Sequence, residues 1–246
     1  MSLWIKICAN TSLEDALLAA DAGADAVGFV FAPSPRRVTV AQAAAIVPGL
    51  PAEIEKIGVF VDASFEEIDA TIIACGLTGV QLHFDAAPEL PARIRARFGH
   101  DLRILRVVHF DDGQAAEELR TVAGHDFGRA ARTAKTAWAS APEGCFSDPN
   151  IDAILIDSRT ASAVGGTGQA FDWALAAETL FQDARARGSR IVAAGGLSPE
   201  NVAEAIAMLR PWGVDVVSGV EGAPGRKDPA KVREFVARAR AAERKP

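Results

Sequence analysis

Eight short runs of β-branched and aliphatic residues, separated by longer Ala-rich stretches of helical period, constrain this chain more than any other feature. The runs cover residues 3–8, 26–31, 56–61, 79–82, 103–108, 153–157, 190–194 and 215–217. Most are almost wholly apolar, as strands buried on both faces of a parallel sheet must be. Helix-start signals lie between them. Thr11 with Glu14 and Ser64 with Glu67 have capping-box spacing, and Ser198-Pro199 reads as a cap followed by proline at the first helical position. Such alternation gives either a closed barrel or an open doubly wound sheet. No GxGxxG follows the first run, which removes the dinucleotide fingerprint. A (β/α)8 barrel runs to about 250 residues, so eight units in 246 residues favour closure. The expected fold is therefore α/β, a single TIM barrel of eight parallel strands spanning residues 1–246. Residues 124–150 break the rhythm, being rich in Ala, Gly and small polar residues. They read as a long loop with a short helix near 130–138, either a rim lid or an insertion before the sixth strand.

The remaining bulk features exclude function classes. A net charge of −6 without a basic run argues against nucleic acid and anionic membranes as partners. Cys8, Cys75 and Cys145 are widely spaced with no CxxC pair, so neither a disulfide framework nor a structural zinc site is expected. The N-terminal apolar run is too short for a signal peptide, and none approaches a bilayer span. A cytoplasmic protein is the expectation.

In barrels of this kind, reactive groups sit at the C-terminal strand ends and in the loops that follow. Gly195 and Gly196 close the seventh run, and Ser218 and Gly219 close the eighth. One such loop is explained by a tight turn. Two in consecutive units form a phosphate cradle, because glycines let backbone N–H groups approach an anion. Cys8 ends the first run and becomes a base or nucleophile if its thiolate is accessible, whereas Cys75 reads as a small buried hydrophobe. Asp157 ends the sixth run, where a carboxylate is costly unless paired or used; capping the next loop is the other reading. Asp215 opens the eighth run and would support other groups from just below the rim. Arg36 and Arg37 follow the second run, and one of them could clamp a carboxylate. His83 ends the fourth, and residues 165–168 (GGTG, with Gly166) form a rim loop suited to closing over a ligand. No HExxH, hydrolytic triad or carboxylate cluster suggests a metal.

Taken in order, KICANTSLEDA, GADAVGFVFAPSPRRV, IGVFV, GVQLH, ILIDS, GGTGQAFDW, AAGGLSPENV and VDVVSGVEGAPGRKD resemble phosphoribosylanthranilate isomerases of tryptophan biosynthesis. The resemblance covers the chain except 124–150. It implies an Amadori rearrangement of N-(5-phosphoribosyl)anthranilate to 1-(2-carboxyphenylamino)-1-deoxyribulose 5-phosphate without cofactor or metal, in a monomer or homodimer. It implies Cys8 as general base, Asp157 as general acid and Arg37 as the anthranilate carboxylate's partner. His83, Gly166 and Asp215 fall on the substrate side, and Gly195, Gly196, Ser218 and Gly219 hold the phosphate. Two positions depart from the family. Ala9 replaces the glycine after the cysteine, which alanine can do where φ is negative. Phe84 stands where QLH is normally followed by glycine, adding bulk at the rim.

Two rivals remain at this level. A related phosphoribosyl aminosugar isomerase would use paired aspartates and repeat its phosphate loop after the third strand, and neither feature occurs here. A non-catalytic barrel that binds phosphorylated ligands would have no need for both Cys8 and Asp157.

Overall fold

The computed structural model describes residues 2–83, 87–110, 148–158, 173–182, 184 and 188–243. Its strands are β1 (Trp4–Ile7), β2 (Ala26–Val30), β3 (Glu55–Phe60), β4 (Gly79–Leu82), β5 (Arg103–Phe110), β6 (Ala153–Ser158), β7 (Ile191–Ala193) and β8 (Gly213–Val216). They form one closed, all-parallel barrel in chain order, with β1 paired to both β2 and β8. Seven of the eight strands, all but β4, have a bound that moves by one or two residues from the sequence reading. The largest change is at β8, which starts at Gly213, so Asp215 is its third residue and not its first.

The described helices are α1 (Leu13–Asp21), α2 (Val40–Ile46), α3 (Phe65–Cys75), α4 (Leu90–Phe98), α5 (Trp173–Ala176), α6 (Val202–Leu209) and α7 (Pro229–Glu243). The strands are mostly apolar on both faces because alternate residues face two different cores. Ile5, Ile7, Val27, Phe29, Val80 and Leu82 point outward into the layer shared with the helices. Trp4, Ala26, Ile57, Leu105, Leu155 and Val192 fill the barrel itself.

The N-terminal end of the barrel is plugged. Trp4 stacks on Trp212 at 5.3 Å, and Arg103 makes a two-pronged pair with Glu55 at 2.6 and 2.7 Å while lying over both indoles. A ligand must therefore enter from the opposite end, where the strands finish.

The helix starts sort into one confirmed box and two corrections. Ser64 and Glu67 form the expected capping box on α3, whose last residue, Cys75, is buried as anticipated. At α1, however, Ser12 is the N-cap and accepts from the Asp15 amide at 3.1 Å. Thr11 is drawn away because its hydroxyl donates to the Gly225 carbonyl at 2.6 Å. At α6 the N-cap is Asn201, and Ser198-Pro199-Glu200 forms a turn ahead of the helix. The Ser198 hydroxyl is taken up by Glu200 at 2.5 Å, so it does not cap. A third capping box, Thr39 with Gln42 on α2, escaped the sequence reading.

Residues 124–147, Cys145, Phe84 and the 165–168 loop with Gly166 lie outside the described residues. Among the described residues, no helix is long and apolar enough to cross a membrane.

Candidate active site

The centre of the C-terminal mouth is built on β1. Lys6 and Cys8 are two residues apart, so both side chains point into the barrel, while Ile5 and Ile7 face the helices. Cys8 follows the strand directly, and its amide donates to the Val216 carbonyl at 2.9 Å. The thiol is 3% exposed and unpaired with another cysteine. A Cβ on Gly28 would stand 2.5 Å from its Sγ, so only glycine at that point of β2 leaves room for the thiol.

Beneath the thiol lies an ion pair. Lys6 is fully buried, and its Nζ donates to Asp215 Oδ1 and to Gln81 Oε1, each at 2.9 Å. Lys6 and Asp215 are register partners across β1 and β8. Asp215, expected on the substrate side, is thus buried in this pair. Burial pushes the Lys6 ammonium down, but Asp215 and the Cys8 sulfur outweigh it and hold the ammonium above its ordinary range. Burial likewise pushes the Cys8 thiol up; Lys6 draws it down by charge and hydrogen bonding, Asp215 pushes it further up, and Lys227 draws it down.

The next residue is strained. Ala9 has φ 61, in the left-handed region where alanine loses to glycine by about 1–2 kcal/mol. The negative φ that would have suited alanine is not the one adopted. Asn10 fixes the reversal: its amide N–H and its Nδ2 both donate to the Gly28 carbonyl, at 2.9 and 3.3 Å, and Nδ2 also reaches the Ile7 carbonyl at 2.8 Å.

Asp157 lies near the end of β6, three strands round the ring from β1, with its side chain half-buried. It aligns with His109 of β5. His83, just past β4, is also half-buried, and its amide donates to the Phe60 carbonyl at 3.1 Å. The adjacent arginines separate cleanly. Arg36 holds Glu221 through Nε and Nη2 at 2.7–3.0 Å. Arg37 is exposed and its guanidinium makes no ion pair among the described residues.

Glu221 opens a small hairpin, β9 (Glu221–Ala223) with β10 (Arg226–Lys227), which folds over the β1 side of the mouth. Lys227 is buried there, 3.6 Å from Glu221, and donates to the Val217 carbonyl at 3.2 Å. Burial drives its ammonium down, against the pull of Glu221, Cys8 and Asp215.

The glycine loops after β7 and β8 meet. Gly195 and Gly196 have φ 79 and 66, both left-handed, a backbone arrangement that turns successive N–H groups to one side. Asn201 ties this loop to its helix, donating to the Gly196 carbonyl at 2.9 Å and accepting from the Ser198 amide at 2.8 Å. Ser218 and Gly219 form a single 3-10 turn with Val220. A Cβ on Gly219 would lie 1.9 Å from the Leu197 carbonyl oxygen, so the loops touch backbone to backbone. The Gly219 turn therefore packs against Leu197 and Ser198, the residues that directly follow the Gly195–Gly196 pair.

The sequence reading missed Lys6, Gln81, Glu221 and Lys227. Lys6 was legible in principle, as a lysine alternating with Cys8 in an otherwise apolar strand. Nothing local marks Lys227, whose burial depends on the hairpin's docking. Among the described residues no group of three His, Cys, Asp or Glu side chains could hold a metal ion.

The family model described as N-(5'-phosphoribosyl)anthranilate (PRA) isomerase matches residues 5–126 and 108–238. A curated relative from Pelobacter propionicus named N-(5'-phosphoribosyl)anthranilate isomerase is 41% identical over 94% of this chain and 93% of its own. One of the same name from Chlorobaculum tepidum is 40% identical over 98% of this chain and 96% of its own. The crystal structure of phosphoribosyl anthranilate isomerase from Thermotoga maritima superposes with a TM-score of 0.73 at 34% identity, covering 97% of this chain and 99% of that one. Another solved phosphoribosyl anthranilate isomerase, in complex with reduced 1-(o-carboxyphenylamino)-1-deoxyribulose 5-phosphate, gives a TM-score of 0.70 at 33% identity over the same shares.

Proposed function

The chain belongs to the N-(5'-phosphoribosyl)anthranilate isomerase family, and we propose that it carries out that rearrangement with Cys8 as general base and Asp157 as general acid. The observation that carries the assignment is the placement of these two groups at strand ends on different sides of one mouth, three strands apart. The reaction needs that separation. Asp157 delivers a proton to the ring oxygen as the C1–O bond breaks, and the anilino nitrogen forms the C=N bond. The Cys8 thiolate then takes the proton from C2, giving an enolamine. That enolamine gains a proton at C1 and loses its hydroxyl proton to become the ketone. One donor and one acceptor with differently tuned proton affinities serve both steps.

The neighbouring groups supply binding. Gly195, Gly196, Ser218 and Gly219 cradle the phosphate, remote from the reacting carbons, so its binding energy positions C1 and C2. Arg37 meets the anthranilate carboxylate, and His83 and Gly166 complete the substrate side, while Asp215 lies beneath it as the partner of Lys6. The relative crystallised with a reduced phosphorylated product supports a phosphorylated small-molecule substrate here. A monomer or homodimer acting in the cytoplasm, with one barrel domain over 1–246 and an insertion at 124–150, completes the reading.

The test is turnover of phosphoribosylanthranilate, followed by its fluorescence. Cys8→Ala and Asp157→Asn are each expected to lower kcat by at least about a thousandfold, within the range general acid–base groups supply, with an unchanged melting temperature for Asp157→Asn. Near-wild-type turnover in either variant refutes its assigned role.

A further inference from the structure

The base assigned above has a support that the reaction scheme leaves unused: a charged side chain buried beneath it. We infer that Lys6 is a positioning residue for Cys8, its ammonium pinned by Asp215 and Gln81 under the thiol so that a fixed positive charge stabilises the sulfur anion formed when the proton leaves.

The geometry has three parts. Lys6 has no exposure at all, and its hydrogen bonds to Asp215 on β8 and Gln81 on β4 are both 2.9 Å long, so the ammonium is held from two sides. Alternation on β1 places it on the same inward face as Cys8. Gly28 shows the two side chains converging, because a Cβ there would lie 2.5 Å from Cys8 Sγ and 3.1 Å from Lys6 Cε.

A lysine so deeply buried needs a reason, since an ammonium is costly to remove from water and a hydrophobic replacement for a buried ion pair is often no less stable. Plugging the barrel does not supply one, because the Trp4–Trp212 stack with Arg103 already closes the opposite end. A thiol buried in an apolar wall would be a poor base. The charged groups around Cys8 are Lys6 on β1, Asp215 on β8, Lys227 on β10 and, at the rim, Arg36 with Glu221. Asp215 opposes the thiolate yet anchors Lys6. Of the groups that favour the thiolate, Lys6 acts most strongly and Lys227 less so. Lys6 acts through Cys8, without touching the substrate in this arrangement.

The inference rests on Cys8 being the base, but its test does not. The alkylation rate of Cys8 by iodoacetamide, read on the Cys8 peptide by mass spectrometry from pH 6 to 10.5, reports the thiolate fraction directly. Lys6→Met is expected to move the midpoint upward by about one pH unit or more, as removal of a nearby opposite charge does. The kcat/KM profile should move with it and KM should stay within about twofold. Lys6→Gln, whose amide still donates to Asp215, gives the same reading if Lys6→Met fails to fold. A purely structural lysine would lower the melting temperature and leave the midpoint in place, and that result overturns the inference while Cys8 remains the base. Conversely, an active Cys8→Ala variant removes the catalytic reading and leaves the titration result standing.

Discussion

Replacing Gly219 by alanine tests whether the two glycine loops act as one phosphate cradle. The added Cβ would stand 1.9 Å from the Leu197 carbonyl oxygen, 2.9 Å from the Leu197 carbonyl carbon and 3.0 Å from the Ser198 Cα. Carbon and oxygen in close contact sit about 3.3 Å or more apart, so the backbones must separate by roughly 1.5 Å. No flexible side chain can absorb that shift, because every close atom belongs to the main chain. Overpacking of this kind costs about 1–3 kcal/mol, equivalent to roughly 3–10 °C in melting temperature for a chain of this size. The functional loss should be larger. The displaced loop carries Gly195 and Gly196, and a misplacement of about 1 Å lowers catalysis around a hundredfold. The measurements are thermal unfolding, kcat/KM with phosphoribosylanthranilate, and competitive inhibition by inorganic phosphate, which reports the cradle without the rest of the substrate. Gly222→Ala is the control from the same segment, since its Cβ would meet nothing closer than 3.8 Å, and it should behave as wild type. If Gly219→Ala keeps phosphate inhibition and kcat/KM within about twofold of wild type, the touching loops do not form the phosphate site.

Two further substitutions test other features. Ala9→Gly relieves the left-handed strain of about 1–2 kcal/mol against an unfolded-state cost of about 0.4–1 kcal/mol. It should raise the melting temperature by about 2 °C, and a fall would show that the conformation at position 9 is not strained. The paired arginines should divide their effects. Arg37→Ala raises KM by about tenfold to a hundredfold, the loss of a charge-assisted hydrogen bond, with stability unchanged in thermal melts. Arg36→Ala instead lowers stability, since it leaves Glu221 without its two-pronged partner. Burial pushes the Glu221 carboxyl up, but hydrogen bonds from Arg36, with the charge of Lys227, hold it below its ordinary 4.5. The stabilisation is therefore complete above that value and is lost as pH falls through the lower folded value. Urea unfolding should show wild type and Arg36→Ala differing at pH 7 and converging in acid once the folded-state Glu221 carboxylate is protonated, and a gap that persists there rules out the ion pair as its cause.

The elements were legible because their signals are local. Eight apolar runs with helical stretches between them need only chain length and periodicity to imply a barrel, and Ser64 with Glu67 caps α3 through contacts three residues apart. Cys8, Asp157, Gly195–Gly196 and Ser218–Gly219 could be singled out as candidates because strand ends in this fold gather at one mouth. The failures share a cause. Thr11 lost its capping role to Gly225, 214 residues away, and the Ser198 hydroxyl went to Glu200. A cap is a competition among hydrogen-bond partners, and residue types alone do not say which partner wins, whether it is near like Glu200 or distant like Gly225.

What the sequence determined by itself was the fold, the family and the kinds of group at the mouth, since each follows from patterns read along the chain. Only the tertiary structure decided what those groups are held against. Lys6 meets Asp215 across 209 residues because closing the ring makes β8 the neighbour of β1. Arg36 is engaged because the hairpin after β8 brings Glu221 to it and not to Arg37. Ala9 sits at positive φ because the chain must reverse there to bring Asn10 back onto Gly28. In each case the deciding energy is a contact between distant segments, and such contacts exist only once the barrel has closed.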